Sequence, residues 1–163
     1  MELINFADRG ECARWHSVND AVMGGVSHSR MLATGHGCLF QGQVSLANGG
    51  GFASMRRALS LPGDCRALAL RLRGDGKRYQ LRLKMDGAVD GVVYVAPFET
   101  GGKRWQVLAL SLCRFRPRYR GRAVTGADPI DPGRVAQIGL LVGEGQQGPF
   151  ELELAGLSAV LPR

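Results

Sequence analysis

The stretch ALALRLRGDGKRYQLRLKM, residues 67–85, determines the predicted fold because it contains two alternating runs joined by a short polar segment. Every second residue in these runs is large and apolar: Leu68, Leu70 and Leu72 in the first, and Tyr79, Leu81, Leu83 and Met85 in the second. Side chains alternate between the two faces of a β-strand, so each run predicts a strand with one buried face. The segment 74–78 carries two glycines and an aspartate, which favours a tight turn and predicts an antiparallel hairpin.

The same alternation gathers basic side chains on the opposite face of the predicted hairpin, namely Arg71, Arg73, Arg82 and Lys84. The whole chain has a formal net charge of +7, and 18 of its 21 basic residues are arginine. The planar guanidinium group of arginine suits carboxylates and phosphates. We therefore predict that this face binds an acidic partner or an anionic ligand.

Further short runs bounded by Gly, Pro, Asn or Asp extend the pattern along the chain and predict strands over 38–46, 51–57, 91–96, 105–110, 137–142 and 150–160. Long helical periodicity is nearly absent, which indicates an all-β jelly-roll sandwich. Asp131 followed by Pro132 favours one short helical turn. A length of 163 residues with 45% hydrophobic residues predicts one domain over 1–163.

The four cysteines, Cys12, Cys38, Cys65 and Cys113, form no C-x-x-C pair, and no secretory signal precedes them. We therefore expect free or buried thiols rather than a disulfide framework. No stretch approaches the roughly 20 apolar residues of a membrane helix. The sequence predicts no membrane span and a cytoplasmic location.

Catalytic signatures are missing from the sequence. The glycine clusters fit neither a dinucleotide-binding loop nor a P-loop, and there is no G-x-S-x-G nucleophile elbow. We therefore predict no catalytic residue and no cofactor. We also predict no transition metal, because His16, His28 and His36 lie outside metal-binding spacings. A structural calcium near Asp20 or Asp75 stays open, as does a hydrolase that uses Asp20 or a histidine.

The run 114–122 alternates arginine with Phe115 and Tyr119, a composition that could contact phosphates and stack on bases. Pro117 favours an edge strand or a loop for this run. Arginine also protects an exposed edge against aggregation. Nucleic-acid binding is therefore the less favoured interpretation.

Four segments carry a more specific signal. They are WHSVNDAVMGGVS at 15–27; FQG at 40–42, continuing to NGGGFAS at 48–54; RGDGKRY at 73–79; and Trp105 followed by Phe115 and Arg120-Gly121. Their order and spacing resemble the complex I intermediate-associated protein 30 family from about residue 15 to near the end of the chain.

This resemblance implies a galactose-binding-like jelly roll, related in shape to carbohydrate-binding modules and without established catalytic residues. Mitochondrial members of the family are assembly chaperones for respiratory complex I. The resemblance thus implies a non-catalytic assembly factor with a protein partner, such as a respiratory-complex subunit. We expect a bacterial version of the family, because no transit peptide is visible.

The motif residues have two interpretations. Asn19, Asp20 and the neighbouring glycines suit tight loops whose polar side chains satisfy backbone donors. Alternatively, the loops meet at one end of the sandwich and line a pocket for a polar ligand or a peptide, with Asn19, Asp20, Ser27, Asn48 and Trp105 as the binding residues. A carbohydrate- or anionic-ligand-binding module is the alternative to a protein-binding role, although two tryptophans and three tyrosines offer little ring surface for neutral sugars.

Overall fold

The computed structural model describes residues 1–87 and 91–163, and it describes only the backbone of residues 22 and 23. These residues form the strands β1 Glu2–Asn5, β2 His16–Ser17, β3 His28–Ala33, β4 Cys38–Val44, β5 Ala53–Ala58, β6 Ala67–Arg73, β7 Arg78–Lys84, β8 Val93–Glu99, β9 Trp105–Ser111, β10 Arg116–Tyr119, β11 Arg122–Ala123, β12 Gln137–Val142 and β13 Gly148–Val160. Short 3₁₀ helices lie at Cys12–Arg14, Asp20–Met23, Ala47–Gly49, Leu112–Arg114 and Pro132–Arg134.

All eight predicted strands are confirmed, with bounds that shift by up to three residues. The predicted helical turn is confirmed as well: the Asp131 side chain accepts a hydrogen bond of 3.1 Å from the Gly133 N–H at the start of that turn. Five further strands, β1, β2, β3, β10 and β11, carry no clear alternation of apolar residues. These strands are short or lie mainly near the edges of the sheets. Burial there imposes less alternation of apolar and polar residues on the sequence.

The strands form two antiparallel sheets that pack face to face. Sheet I has the order β3-β4-β13-β6-β9, and β1 also pairs with the long strand β13. Sheet II has the order β11-β10-β8-β7-β12-β5-β2. The predicted all-β jelly-roll sandwich is confirmed.

The predicted hairpin of β6 and β7 is wrong. β6 pairs with β13 and β9 in sheet I, whereas β7 pairs with β8 and β12 in sheet II. The segment 74–78 therefore carries the chain from one sheet to the other. A tight polar connection and two amphipathic strands suit either arrangement, and strands distant in the sequence decide between them.

The apolar faces of β6 and β7 nevertheless point inward, as the alternation predicts. Leu68, Leu70 and Leu72 are at most 2% exposed, and Leu81 and Leu83 at most 1%. They belong to one core shared by both sheets. Arg71 and Arg73 consequently point outward from sheet I, and Arg82 and Lys84 point outward from sheet II, so the predicted single basic face is wrong.

Two cysteines depart from the expectation of free thiols. Cys12 and Cys38 form a disulfide, with Cα atoms 5.9 Å apart, which ties the first 3₁₀ helix to β4. Cys65 and Cys113 are free, one buried and one exposed. The 26-residue separation of the bonded pair has no sequence signature, because only the folded chain brings the two residues together.

Candidate functional site

Asp20 joins two loops of the family-like motifs. Its side chain is fully buried and accepts hydrogen bonds from Ser27 N (3.0 Å) and Ser27 Oγ (2.6 Å) in its own loop. It also accepts from Gly51 N (2.7 Å) and Phe52 N (3.3 Å) in the loop that precedes β5. We call Asp20 and these three partners the Asp20 junction.

Two glycines make room for this carboxylate. A Cβ atom on Gly25 would lie 2.3 Å from the Asp20 Cγ, and a Cβ atom on Gly50 would lie 2.4 Å from its Oδ2. Neither separation is compatible with a side chain. The glycines in the motifs thus allow the backbone to close around Asp20.

The surroundings of Asp20 favour its charged form. Burial disfavours the charge, but the hydrogen bonds from Ser27, Gly51 and Phe52 outweigh it and hold the pKa of the Asp20 carboxyl below its usual value. The carboxylate therefore behaves as a structural anion that satisfies backbone donors.

Asn19 extends the same arrangement to the neighbouring strands. Its Oδ1 accepts hydrogen bonds from Ser54 N (2.9 Å) and Ser29 Oγ (2.8 Å). Asn48 lies in the second loop, with an exposed side chain and a φ of 57°, a left-handed conformation that asparagine tolerates well. The structure thus gathers Asn19, Asp20 and Ser27 with their polar groups turned inward, and a ligand-binding role for them stays a prediction.

Trp105 lies elsewhere, on the outer side of sheet I. It starts the edge strand β9 directly opposite Arg73 of β6. The guanidinium carbons of Arg73 and Arg71 lie 4.9 and 5.6 Å from the centre of its ring, and the His36 ring meets it edge-on at 5.5 Å. The structure therefore brings the predicted binding residues Arg71, Arg73 and Trp105 together. His36 joins them, although the sequence predicts no site on this face that includes it.

Arg73 is held in place by a buried acid. Its Nε donates to Glu153 Oε1 at 3.1 Å, and Thr34 Oγ1 donates to Glu153 Oε2 at 2.7 Å. Burial of Glu153 is outweighed by these bonds and by the charge of Arg73, which lower the pKa of the carboxyl. Arg73 is therefore fixed against the Trp105 ring, whereas Arg71 is exposed.

A shallow groove adjoins this cluster on the same face of sheet I. It has a volume of about 450 Å³ and is lined partly by His36, Ala69, Arg71 and Val107. Val107 is 65% exposed, which is unusual for a β-branched residue in the middle of a strand. We call Arg71, Arg73, Trp105 and Val107 the Trp105 face.

Arg82 and Lys84, the other two predicted basic residues, lie on the outer side of sheet II. Lys84 is buried, and its Nζ lies 3.7 Å from Asp86 Oδ1. Arg82 is half-buried beside Arg56 and Arg118. These two arginines are not among the binding residues predicted from the sequence. The alternation of residues in β5 is enough to predict that Arg56 lies on the outer face. Its nearness to Arg82, however, depends on the pairing of both β5 and β7 with β12.

Within residues 1–87 and 91–163, no three His, Cys, Asp or Glu side chains are grouped as a metal ion requires. The helices described in this part of the chain are all too short to cross a membrane.

Known structures with a similar fold include carbohydrate-binding modules. The family 11 carbohydrate-binding module of the Clostridium thermocellum cellulase Lic26A-Cel5E superposes with a TM-score of 0.69 at 13% identity, over 99% of this chain and 96% of that one. The module from the same organism in complex with a β-1,3-1,4-mixed-linked tetrasaccharide gives a TM-score of 0.66 at 14% identity, over 99% of this chain and 97% of that one. At these identities the similarity establishes the fold alone, a galactose-binding-like jelly roll.

Sequence comparison adds a relative and a family. The Schizosaccharomyces pombe protein C9E9.15 is 33% identical over 61 residues, which span 36% of this chain and only 28% of that protein. The family model of complex I intermediate-associated protein 30 matches residues 4–154. This match covers nearly the whole chain and includes both loops of the Asp20 junction, and the chain therefore belongs to the complex I intermediate-associated protein 30 family.

Proposed function

We propose that this chain is a non-catalytic binding domain that acts as an assembly factor and holds a protein partner on the Trp105 face. Membership of the family and the carbohydrate-binding-module-like fold support a binding role without catalysis. The family description points to complex I assembly, so a subunit of a respiratory complex is the proposed partner.

The observation that carries this proposal is the composition of the Trp105 face. Tryptophan and arginine are the residue types most enriched at the energetic centres of protein interfaces. Val107 adds exposed apolar area, and β9 is an edge strand of sheet I, so the side of this face next to β9 is open to a partner.

Charge defines the chemistry of the proposed partner. The chain carries a net charge of +7, and Arg71 is exposed with its guanidinium group near the Trp105 ring. An acidic surface with an apolar centre would complement both Arg71 and Val107. Steering by opposite charges makes such an association weaken as salt is raised.

The test is capture of a partner from a lysate of the source organism, at low and high salt, by the wild type and by Trp105→Ala and Arg71→Glu. Arg30→Glu is the matched control, because it makes the same charge change on the opposite edge of sheet I. We expect the same respiratory-complex protein to be retained by the wild type and by Arg30→Glu at low salt, and lost from the other two variants. Equal capture by all four proteins, or no specific capture, would overturn the proposal.

Carbohydrate binding is the second candidate, favoured by the similarity to a module solved with a tetrasaccharide. Sugars usually stack on an open aromatic ring, but two arginines and His36 already crowd the ring of Trp105. A glycan array separates the two candidates. Binding of a neutral glucan that Trp105→Ala abolishes would favour the sugar-binding role, and a blank array would leave the protein partner as the function.

A further inference from the structure

One row of residues crosses the outer side of sheet II. The row contains the mutually paired positions His16, Arg56, Gly139, Arg82, Val95 and Arg116, on β2, β5, β12, β7, β8 and β10. Their chain neighbours Met55, Leu81 and Leu140 belong to the core, so residues of the row point away from it. Three of the six positions are therefore arginines directed to the same side of one sheet.

Gly139 places no side chain between two of these arginines. A Cβ atom at this position would lie 3.7 Å from the Arg56 Cβ and 3.8 Å from the Arg82 Cβ. The two arginines occupy strands on either side of β12, at a backbone separation of about 10 Å. No side chain of β12 stands between them at Gly139, and Arg118 lies near Arg82 on the same side of the sheet. We call Arg56, Arg82, Arg118 and the Gly139 position the Arg82 groove.

The floor beside this groove is sheltered from water. Val95, Val93 and Leu141 also point away from the core, yet they are only 3%, 8% and 7% exposed. Arg118 and Arg116 are paired with Val93 and Val95 and lie on the same side of the sheet. Charge interactions are stronger in such a recess than on an open surface, because less water screens them.

Among the described residues, the positive charges of the Arg82 groove have no acidic partner. Within residues 1–87 and 91–163, no carboxylate forms an ion pair with Arg56, Arg82 or Arg118. Arg57 and Arg73, by contrast, each pair with a glutamate. Burial, together with the charges of Arg56 and Arg118, lowers the pKa of Arg82 to about 10.

We propose that the Arg82 groove binds a doubly charged tetrahedral oxyanion, a phosphate or sulfate group, over Gly139. A carboxylate would balance only one of the three positive charges, whereas a dianion balances two and offers enough oxygens for two arginines at once. The site lies on the sheet opposite the Trp105 face, so it goes beyond the proposed partner binding and does not depend on it.

The test is calorimetric titration of the purified chain with inorganic phosphate and with inorganic sulfate at constant ionic strength. Acetate serves as the singly charged control. We expect saturable binding of both dianions and at least tenfold weaker binding of acetate. Equal heats for all three ions would indicate general screening and would overturn the proposal.

Variants locate the binding. Arg82→Met and Arg56→Met keep the aliphatic stem and remove the charge, and each is expected to weaken phosphate binding at least tenfold. Arg30→Met is the matched control on sheet I, because Arg30 is exposed and lies outside both proposed sites, and it should bind like the wild type. Wild-type affinity in both groove variants, or an equal loss in Arg30→Met, would contradict the assignment. If one groove variant does not fold, by far-ultraviolet circular dichroism, the other decides.

Glucose 6-phosphate and glucose distinguish a free ion from an ester. Tighter binding of the ester than of inorganic phosphate would identify a phosphorylated ligand, and equal binding would identify the free ion, and both results support the site. Binding of glucose as tight as that of its phosphate would overturn it. Partner capture by Arg82→Met is expected to be intact, so failure of the groove and failure of the assembly role are distinguishable.

Discussion

The Asp20 junction and the Arg82 groove both hold charged groups away from open water, but they treat that charge in opposite ways. At the junction, four hydrogen bonds converge on one carboxylate, and two glycines leave the space that it needs. In the groove, Arg82 lies next to two other arginines without an acidic partner among the described residues. The comparison predicts that the first site stabilises the fold, and it agrees with the proposal that the second binds an anion.

The largest expected effect is that of Asp20→Ala. The substitution leaves the N–H groups of Ser27, Gly51 and Phe52 without their acceptor. We expect a loss of about 3 kcal/mol in the free energy of unfolding, because bonds to a buried charge are strong and the orphaned donors stay desolvated. Urea unfolding of the wild type and the variant measures this loss in the free energy of unfolding.

The control for this variant is Asp8→Ala, which removes an exposed carboxylate from the first loop and should change the stability by less than about 0.5 kcal/mol. If Asp20→Ala cost no more than Asp8→Ala, the junction would not be a structural element.

Gly25→Ala tests the packing around the same carboxylate. The new methyl group would lie 2.3 Å from the Asp20 Cγ, so the loop must shift. We expect a destabilisation of about 1–3 kcal/mol by urea unfolding. Gly35→Ala is the matched control, because no heavy atom lies within 4 Å of its added Cβ, and a similar loss in both variants would rule out a steric role for Gly25.

The third expected effect is a pH dependence. The pKa of Asp20 is lower in the folded chain than in the unfolded chain, so its contribution is complete above the unfolded value of about 4 and is lost as pH falls through the folded value. The stability gap between the wild type and Asp20→Asn should therefore narrow below pH ~4. Unfolding experiments between pH 7 and acid measure that gap, and a gap that widens on acidification would contradict the assigned charge state.

Local patterns in the sequence predict most of the fold. The alternation over 67–73 and 79–85 correctly identifies two strands and their buried leucines, because burial on one face imposes a period of two. The partners of those strands are not predictable in the same way. β6 pairs with β13, about 85 residues later in the chain, and nothing near residue 70 encodes that choice.

The candidate sites also differ in whether local sequence patterns predict them. The motifs suggest that Asn19, Asp20 and Ser27 meet, and they do, because the interacting loops carry the glycines that allow it. The Arg82 groove depends on the register of β5 and β7 against Gly139 of β12, which no local pattern contains. The Cys12–Cys38 disulfide likewise depends on the folded arrangement of the chain and has no local pattern.

The smallest expected effect is also the most direct test of the difference between the two sites. Arg82→Met removes a charge that burial and two neighbouring arginines disfavour, and it keeps the aliphatic stem. Its free energy of unfolding, measured with urea in buffer free of phosphate and sulfate, should equal that of the wild type or exceed it by up to about 1 kcal/mol. A loss of more than about 1 kcal/mol would show that Arg82 stabilises the fold, and would contradict its assignment to a ligand.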